Sequence, residues 1–170
     1  KPLPLQMPIG MAESFKGIID LLTMKAYIPE DDLGKILDEV DIPAEYQEEA
    51  KKRHDALIES VVETDDALLE KYFAGEEISI DELKKAIRKA TIAKKVTPML
   101  CGSSYKNKGV QNLLDAMVDY LPSPTDVESI KGINPETGEE EFRHPDANAP
   151  LAGLAFKIAT DPYVGSLTFF

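Results

Sequence analysis

The stretch Val96-Thr97-Pro98-Met99-Leu100-Cys101, followed by Gly102-Ser103-Ser104 and by the run from Val110 to Leu121, decides how this chain reads. The first six residues make a short apolar strand and the small residues after them a turn. Val110, Leu113, Leu114, Met117, Val118 and Leu121 then recur at the spacing of one helix face. Pro122-Ser123-Pro124 ends the helix, because proline lacks the amide that would continue it. A strand, a small-residue turn and a helix form the unit that presents ligands at the carboxyl end of a parallel strand. The expected fold class is therefore mixed α/β, of the α+β kind.

Working upstream, Leu3, Leu5, Met7 and Ile9 alternate with Pro4, Gln6 and Pro8, which predicts a strand. Its prolines cannot donate to a ladder, so it should lie at an edge. Phe15 to Ile28 predicts one or two further strands, and Asp31-Asp32-Leu33-Gly34 a turn. Helices follow. Ala50, His54, Leu57, Ile58, Val61 and Val62 share one face of a helix starting near Pro43. A shorter helix covers Ala67 to Phe73 and stops at Gly75. A third opens at Ser79, with Glu82 three residues on as a capping box, and turns Leu83, Ala86, Ile87 and Ala90 inward. Downstream, residues 125–150 read as a polar linker with a hairpin at Thr137-Gly138. Leu151 to Lys157 and Gly165 to Phe170 return to strand composition.

The 170 residues are 43% apolar, enough for a core, and carry a formal net charge of −12. That charge disfavours naked nucleic acid, whose phosphates need clustered Lys and Arg. It suits solubility and a basic protein partner. The single cysteine, Cys101, rules out an intrachain disulfide framework and fits a reducing cytoplasm. No apolar run approaches the roughly 18 residues of a membrane span, so no membrane partner is expected. The chain begins without an initiator Met and closes on Ser166-Leu167-Thr168-Phe169-Phe170, a strand cut midway, so a fragment of a longer protein is expected.

Self-sufficient catalysis finds no support in the residues. His54 and His144 have no cysteine neighbours and are far apart, so zinc is not expected. His54 belongs to an apolar stripe, where packing with a satisfied nitrogen is the expectation. Cys101 sits in a strand, where a buried structural thiol is expected. There is no Gly-x-x-x-x-Gly-Lys-Ser/Thr phosphate loop. Asp31-Asp32-Leu33-Gly34 satisfies Asp-x-x-Gly only formally. Asn107-Lys108-Gly109-Val110 imitates Asn-Lys-x-Asp, but Val110 offers no carboxylate to the guanine edge. Catalytic and metal-binding residues are both expected to be absent.

Three longer stretches carry a resemblance. Cys101-Gly102-Ser103-Ser104-Tyr105-Lys106-Asn107-Lys108-Gly109-Val110-Gln111 resembles the last guanine-nucleotide motif of the elongation factor G family with the start of its following helix. Asp119-Tyr120-Leu121-Pro122-Ser123-Pro124 is similar to the end of that helix. Leu154-Ala155-Phe156-Lys157-Ile158-Ala159-Thr160-Asp161-Pro162-Tyr163-Val164-Gly165 is similar to the opening of the family's second domain, a β-barrel. The acidic helical region before them resembles the family's G-prime insert. The resemblance implies that residues 1–93 are that insert and that 94–124 are the last strand and helix of a phosphate-loop GTPase domain. Residues 125–170 would be a linker and the first barrel strands.

It further implies a GTPase that moves tRNA and mRNA through the ribosome. GTP or GDP with Mg²⁺ would bind in the intact parent and none in the fragment. The implied guanine-contacting positions are Ser103, Ser104 and Tyr105. Ser103 matches the family's Ser, Ser104 replaces its usual Ala, and Tyr105 replaces a large apolar residue. Backbone amides make the contact in the family, and they survive a change of side chain. Implied partners are the rest of the parent chain and the ribosome, including its acidic stalk protein. The stalk would be touched through Glu59, Glu63 and Asp66, whose spacing matches the family's acidic helix positions. Glu59 and Glu63 face away from the apolar stripe, and Asp66 joins them only if the helix runs through Thr64. Related readings are a ribosomal protection protein or a GTPase release factor. The reading from another class is an acidic helical interaction module with no nucleotide role.

Overall fold

The computed structural model describes residues 1–30, 37–126 and 129–170. The turn expected at Asp31-Asp32-Leu33-Gly34 lies outside the described residues. The chain divides into two units, Lys1–Leu121 and Pro122–Phe170. Small sheets and four helices among the described residues make the fold mixed α and β.

In the first unit β1 (Pro2–Pro4), β2 (Gln6–Ile9), β3 (Gly17–Asp20), β4 (Lys25–Pro29) and β5 (Leu37–Val40) precede α1 (Ala44–Val62), α2 (Asp66–Ala74) and α3 (Ile80–Ile92). β6 (Thr97–Met99) and α4 (Val110–Tyr120) close it. Strands β2 to β5 form an antiparallel sheet in chain order, while β1 pairs in parallel with β6 through Pro2↔Thr97, Leu3↔Pro98 and Pro4↔Met99. The single strand expected from Leu3 to Ile9 is thus two strands in two sheets. Leu5 is the joint: its N–H donates to the Met99 carbonyl, and its own carbonyl accepts from the Leu21 N–H, both at 2.9 Å. Leu3, Leu5, Met7 and Ile9 are all buried, as their alternation predicts, but the pattern runs across the joint without revealing it. The prolines lie on edge strands, β1 and β2, where a missing donor costs no ladder bond.

The core is built from those four side chains, Ile19, Leu21 and Ala26 of the sheet region, Ala50, Leu57 and Val61 of α1, and Leu83, Ala86, Ile87 and Ala90 of α3. His54 is half-buried in this contact, its Nδ1 lying 2.6 Å from the Leu21 carbonyl oxygen. Helix α1 stops at Val62 because Thr64 turns back, its hydroxyl and amide both donating to the Val61 carbonyl. Asp65 then caps α2, accepting from the Ala67 N–H at 3.2 Å, and Gly75 ends α2 with a φ of 70°. The capping box of α3 forms as the spacing predicts: Ser79 Oγ accepts the Glu82 N–H, and Glu82 Oε2 accepts the Ser79 N–H.

The same carboxylate sets a pH response. Glu82 is drawn from 4.5 to about 2 by the Lys71 ammonium first, then by the Ser79 amide and hydroxyl. Its folded-state value is below its unfolded one. The stabilisation is therefore present above about pH 4.5 and is lost as pH falls toward 2. Circular dichroism across that window should show a steeper loss of helix in the parent chain than in Glu82→Gln, which has nothing to titrate there. Identical acid profiles would remove this role for Glu82.

In the second unit, β7 (Ile130–Ile133) and β8 (Glu140–Arg143) form a hairpin, and β9 (Lys157–Asp161) pairs with β10 (Gly165–Phe169) in another. The stretch read as linker therefore holds the first hairpin. Its turn is set by Asn134, whose Oδ1 accepts from the N–H groups of Glu136 and Thr137. The strand expected from Leu151 begins only at Lys157, whose partner is Phe169; before it, the Phe156 N–H still donates to the Phe169 carbonyl at 3.1 Å. No described residue of this unit is buried, and Leu151, Leu154 and Phe156 are exposed.

Candidate base-binding turn and acidic helix positions

The turn after β6 stands at the carboxyl end of a strand in a parallel pair. Ser103 and Lys108 close it from both sides. The Ser103 N–H donates to the Lys108 carbonyl at 2.8 Å, and the Lys108 N–H donates to the Ser103 carbonyl at 3.0 Å. Inside, the Asn107 N–H donates to the Ser104 carbonyl at 3.1 Å and the Lys106 N–H to Ser103 Oγ at 3.4 Å. The N–H groups of Ser104 and Tyr105 take no part in this network and have no acceptor among the described residues. Both residues are exposed, Tyr105 at 98%. Ser103, Ser104 and Tyr105 are thus brought together at a tip that offers two adjacent free amide donors. Free donors of this kind are what a ligand carbonyl or an anionic oxygen requires.

Two anchors hold the turn against the rest of the unit. Lys108 Nζ donates to the Phe15 carbonyl at 3.2 Å, and the Cys101 N–H donates to Oε1 of the buried Gln6 at 3.2 Å. Sequence reasoning missed Gln6 and the anchoring role of Lys108. Their partners lie more than ninety positions away along the chain, so no local spacing could have revealed them. Gly109 leads into α4 at a φ of 77°, where a Cβ would lie 3.0 Å from the Cys101 carbonyl oxygen. Only glycine enters this bend without strain. Val110 is the first helical residue, so the imitation Asn-Lys-x-Asp sequence spans a turn and a helix start. Burial pushes the Cys101 thiol up to about 11, which keeps it protonated and unreactive near neutral pH.

The acidic positions are distributed differently from the expectation. Glu59 is exposed on the last turn of α1. Glu63 is the residue that ends α1, and its Oε2 lies 3.1 Å from Lys1 Nζ. Asp66 does not belong to α1: the chain breaks at Thr64 and Asp65 starts a new helix, so Asp66 sits in the first turn of α2. The three carboxylates are consequently not one helix face.

Helix α4 carries a further feature. Its apolar stripe of Leu113, Leu114, Met117 and Val118 is exposed, and Tyr120 is its one buried side chain. Among the described residues no group of three or more His, Cys, Asp or Glu is placed to hold a metal, and no helix is long and apolar enough to cross a membrane.

No protein-family model matches the chain. The fold is similar to that of a crystal structure of a Thermus thermophilus protein, with a TM-score of 0.72 and 27% sequence identity. The match covers 98% of this chain and 22% of the other. The chain therefore spans less than a quarter of the length of the protein it resembles.

Proposed function

We propose that the chain is a segment of a translational GTPase of the elongation factor G kind, in which Ser104 and Tyr105 donate their backbone amides to the carbonyl oxygen of a guanine base. The observation that carries this reading is the pair of free amides at the tip of a turn whose Ser103, Lys106, Asn107 and Lys108 N–H groups are engaged. Residues 1–93 are the helical insert, 94–124 the last strand and helix of the GTPase domain, and 125–170 a linker and the opening of a barrel. The exposed stripe of α4 and the coreless second unit both fit a chain whose remaining partners lie elsewhere in a longer protein. The similarity to less than a quarter of a larger protein supports the same view. Phosphates and Mg²⁺ would be held by the remainder of that parent, since no phosphate loop occurs in this sequence. The parent's activity would be ribosome-dependent GTP hydrolysis coupled to movement of tRNA and mRNA.

Titration with a fluorescent GDP tests the proposal. This chain alone should show no saturable micromolar binding, because phosphate and Mg²⁺ contacts supply much of the affinity in such proteins. The longer protein encoded by the gene should bind, and GDP should then slow hydrogen exchange at the Ser104 and Tyr105 amides. A longer protein without guanine-nucleotide affinity, or binding that leaves both amides unprotected, would overturn it.

A further inference from the structure

The C-terminus of α4 is held in an unusual way. The last carbonyls of a helix have no partner within it and form the negative end of its dipole. Helix α4 has no basic residue of its own in its last turn. The cation comes instead from α3: Arg88 Nη1 donates to the carbonyls of Leu121 at 2.8 Å, Asp119 at 3.1 Å and Val118 at 3.3 Å. One turn earlier on α3, Lys84 Nζ lies 2.7 Å from Asp119 Oδ2. Two successive turns of α3 therefore clasp one end of α4.

Beyond the clasp, Tyr120 of α4 lies in the core and Ala116 packs against it, while the rest of the helix is held less closely. Its apolar stripe is exposed, and toward the sheet it faces a polar cavity of about 140 Å³ lined by Asp20, Asn112, Asp119 and Tyr120. Asn112 Oδ1 is buried there without a hydrogen-bond partner, so this contact is not closely packed. At its other end α4 runs directly into Gly109 and Lys108, and Lys108 closes the turn that carries the two free amides. An eleven-residue helix is a stiff rod of about 16 Å. A tilt at the clasp would act on the turn through this rod, against the anchors at Gln6 and Phe15.

We infer that Arg88 and Lys84 are positioning residues that set the placement of the Ser104 and Tyr105 amides through α4, so that the helical insert controls how well the turn meets its ligand. This rests on the proposed function for the identity of the ligand, but not for the coupling itself. The clasp joins the two parts through a two-ended rod, so a partner that shifts α3 would change base affinity without touching the turn.

Two measurements separate the coupling from the ligand. In this chain, ¹⁵N-labelled, Arg88→Gln should shift the amide resonances of Ser103, Ser104, Tyr105 and Lys108 and speed hydrogen exchange about tenfold at Ser103 and Lys108, whose N–H groups are bonded to each other's carbonyls, with α1 resonances unchanged. Arg88→Lys, with a single ammonium in place of the guanidinium, should give smaller shifts. If Arg88→Gln does not fold, Lys84→Gln removes the other half of the clasp, the Asp119 ion pair, and should move the same four amides. Changes confined to residues 116–121 would make the clasp a simple helix cap and overturn the inference. In the longer protein, Arg88→Gln should weaken GDP about fivefold, the worth of one hydrogen bond. The diphosphate of 2-aminopurine riboside, which lacks the carbonyl oxygen, should bind with unchanged affinity. Equal weakening of both nucleotides would mean general destabilisation and would overturn it. If the longer protein binds neither, the proposed function fails while the resonance shifts still decide the coupling.

Discussion

Gly17→Val is expected to abolish cooperative folding of Lys1–Leu121. Gly17 opens β3, and a Cβ placed there would lie 2.3 Å from the Tyr27 carbonyl oxygen and 3.2 Å from the Ile28 Cα, both on β4. These are backbone atoms and cannot swing aside. β3 and β4 would have to part, and with them the pairings Ile18↔Tyr27 and Ile19↔Ala26. Ile19 and Ala26 are fully buried, so separation would open the middle of the core. The loss should exceed about 4 kcal/mol, the range reached only when a named packing fault is introduced, against a total of about 5–15 kcal/mol for an ordinary domain. Gly132→Ala is the control. A Cβ there meets nothing within 4 Å, and the change should stay within about 0.5 kcal/mol. Thermal denaturation followed by circular dichroism reads both. A Gly17→Val chain melting within a few degrees of the parent would show that the strands tolerate the intrusion.

The second large effect concerns association. If the stalk contact that the resemblance to elongation factor G implies is made, the triple variant Glu59→Lys, Glu63→Lys, Asp66→Lys should lower binding of the ribosomal stalk protein's globular domain by at least about tenfold at low salt, chiefly through the on-rate. The attraction requires a locally basic face on that domain. The difference should shrink at physiological ionic strength, where the screening length is about 8 Å. The fold should survive. All three residues are exposed or half-exposed, and the Lys1–Glu63 pair that is lost is solvent-accessible on both sides, a kind worth about 1 kcal/mol at most. Glu59→Lys alone is the cleanest single change, because its carboxylate has no partner among the described residues to lose. Shift perturbation by NMR, with circular dichroism as a check on folding, measures this. Unaltered binding by a folded triple variant would reduce these carboxylates to ordinary surface charge.

Sequence periodicity was a good guide wherever a single helix face or a local cap decided the outcome. The inward set of α3, its Ser79–Glu82 capping box and the stop at Gly75 all depend on residues within one or two turns of one another. The turn of the candidate site was legible for the same reason. Ser103 and Lys108 are five positions apart, and the strand, turn and helix around them follow in order. Where pairing decided, periodicity ran out. Alternation from Leu3 to Ile9 was present, but which residues pair with β6 and which with β3 depends on segments that lie far along the chain. Asp66 was similarly undecidable, since a composition that allows a helix through Thr64 also allows the Thr64 hydroxyl to end it.

What the amino-acid order determined by itself was therefore the helices, the faces of α1 and α3 that are buried, and the strand, turn and helix around Ser103. The tertiary structure alone decided which amides of that turn have no acceptor among the described residues, because that depends on where every other polar group lies in space. It also decided that the turn is braced by Gln6 and Phe15 from the start of the chain, and that Arg88 of one helix caps another. These are contacts between polar groups distant in sequence. Hydrogen bonds reach only about 3 Å, so they are made or missed according to how the core packs, which no local pattern of residues specifies.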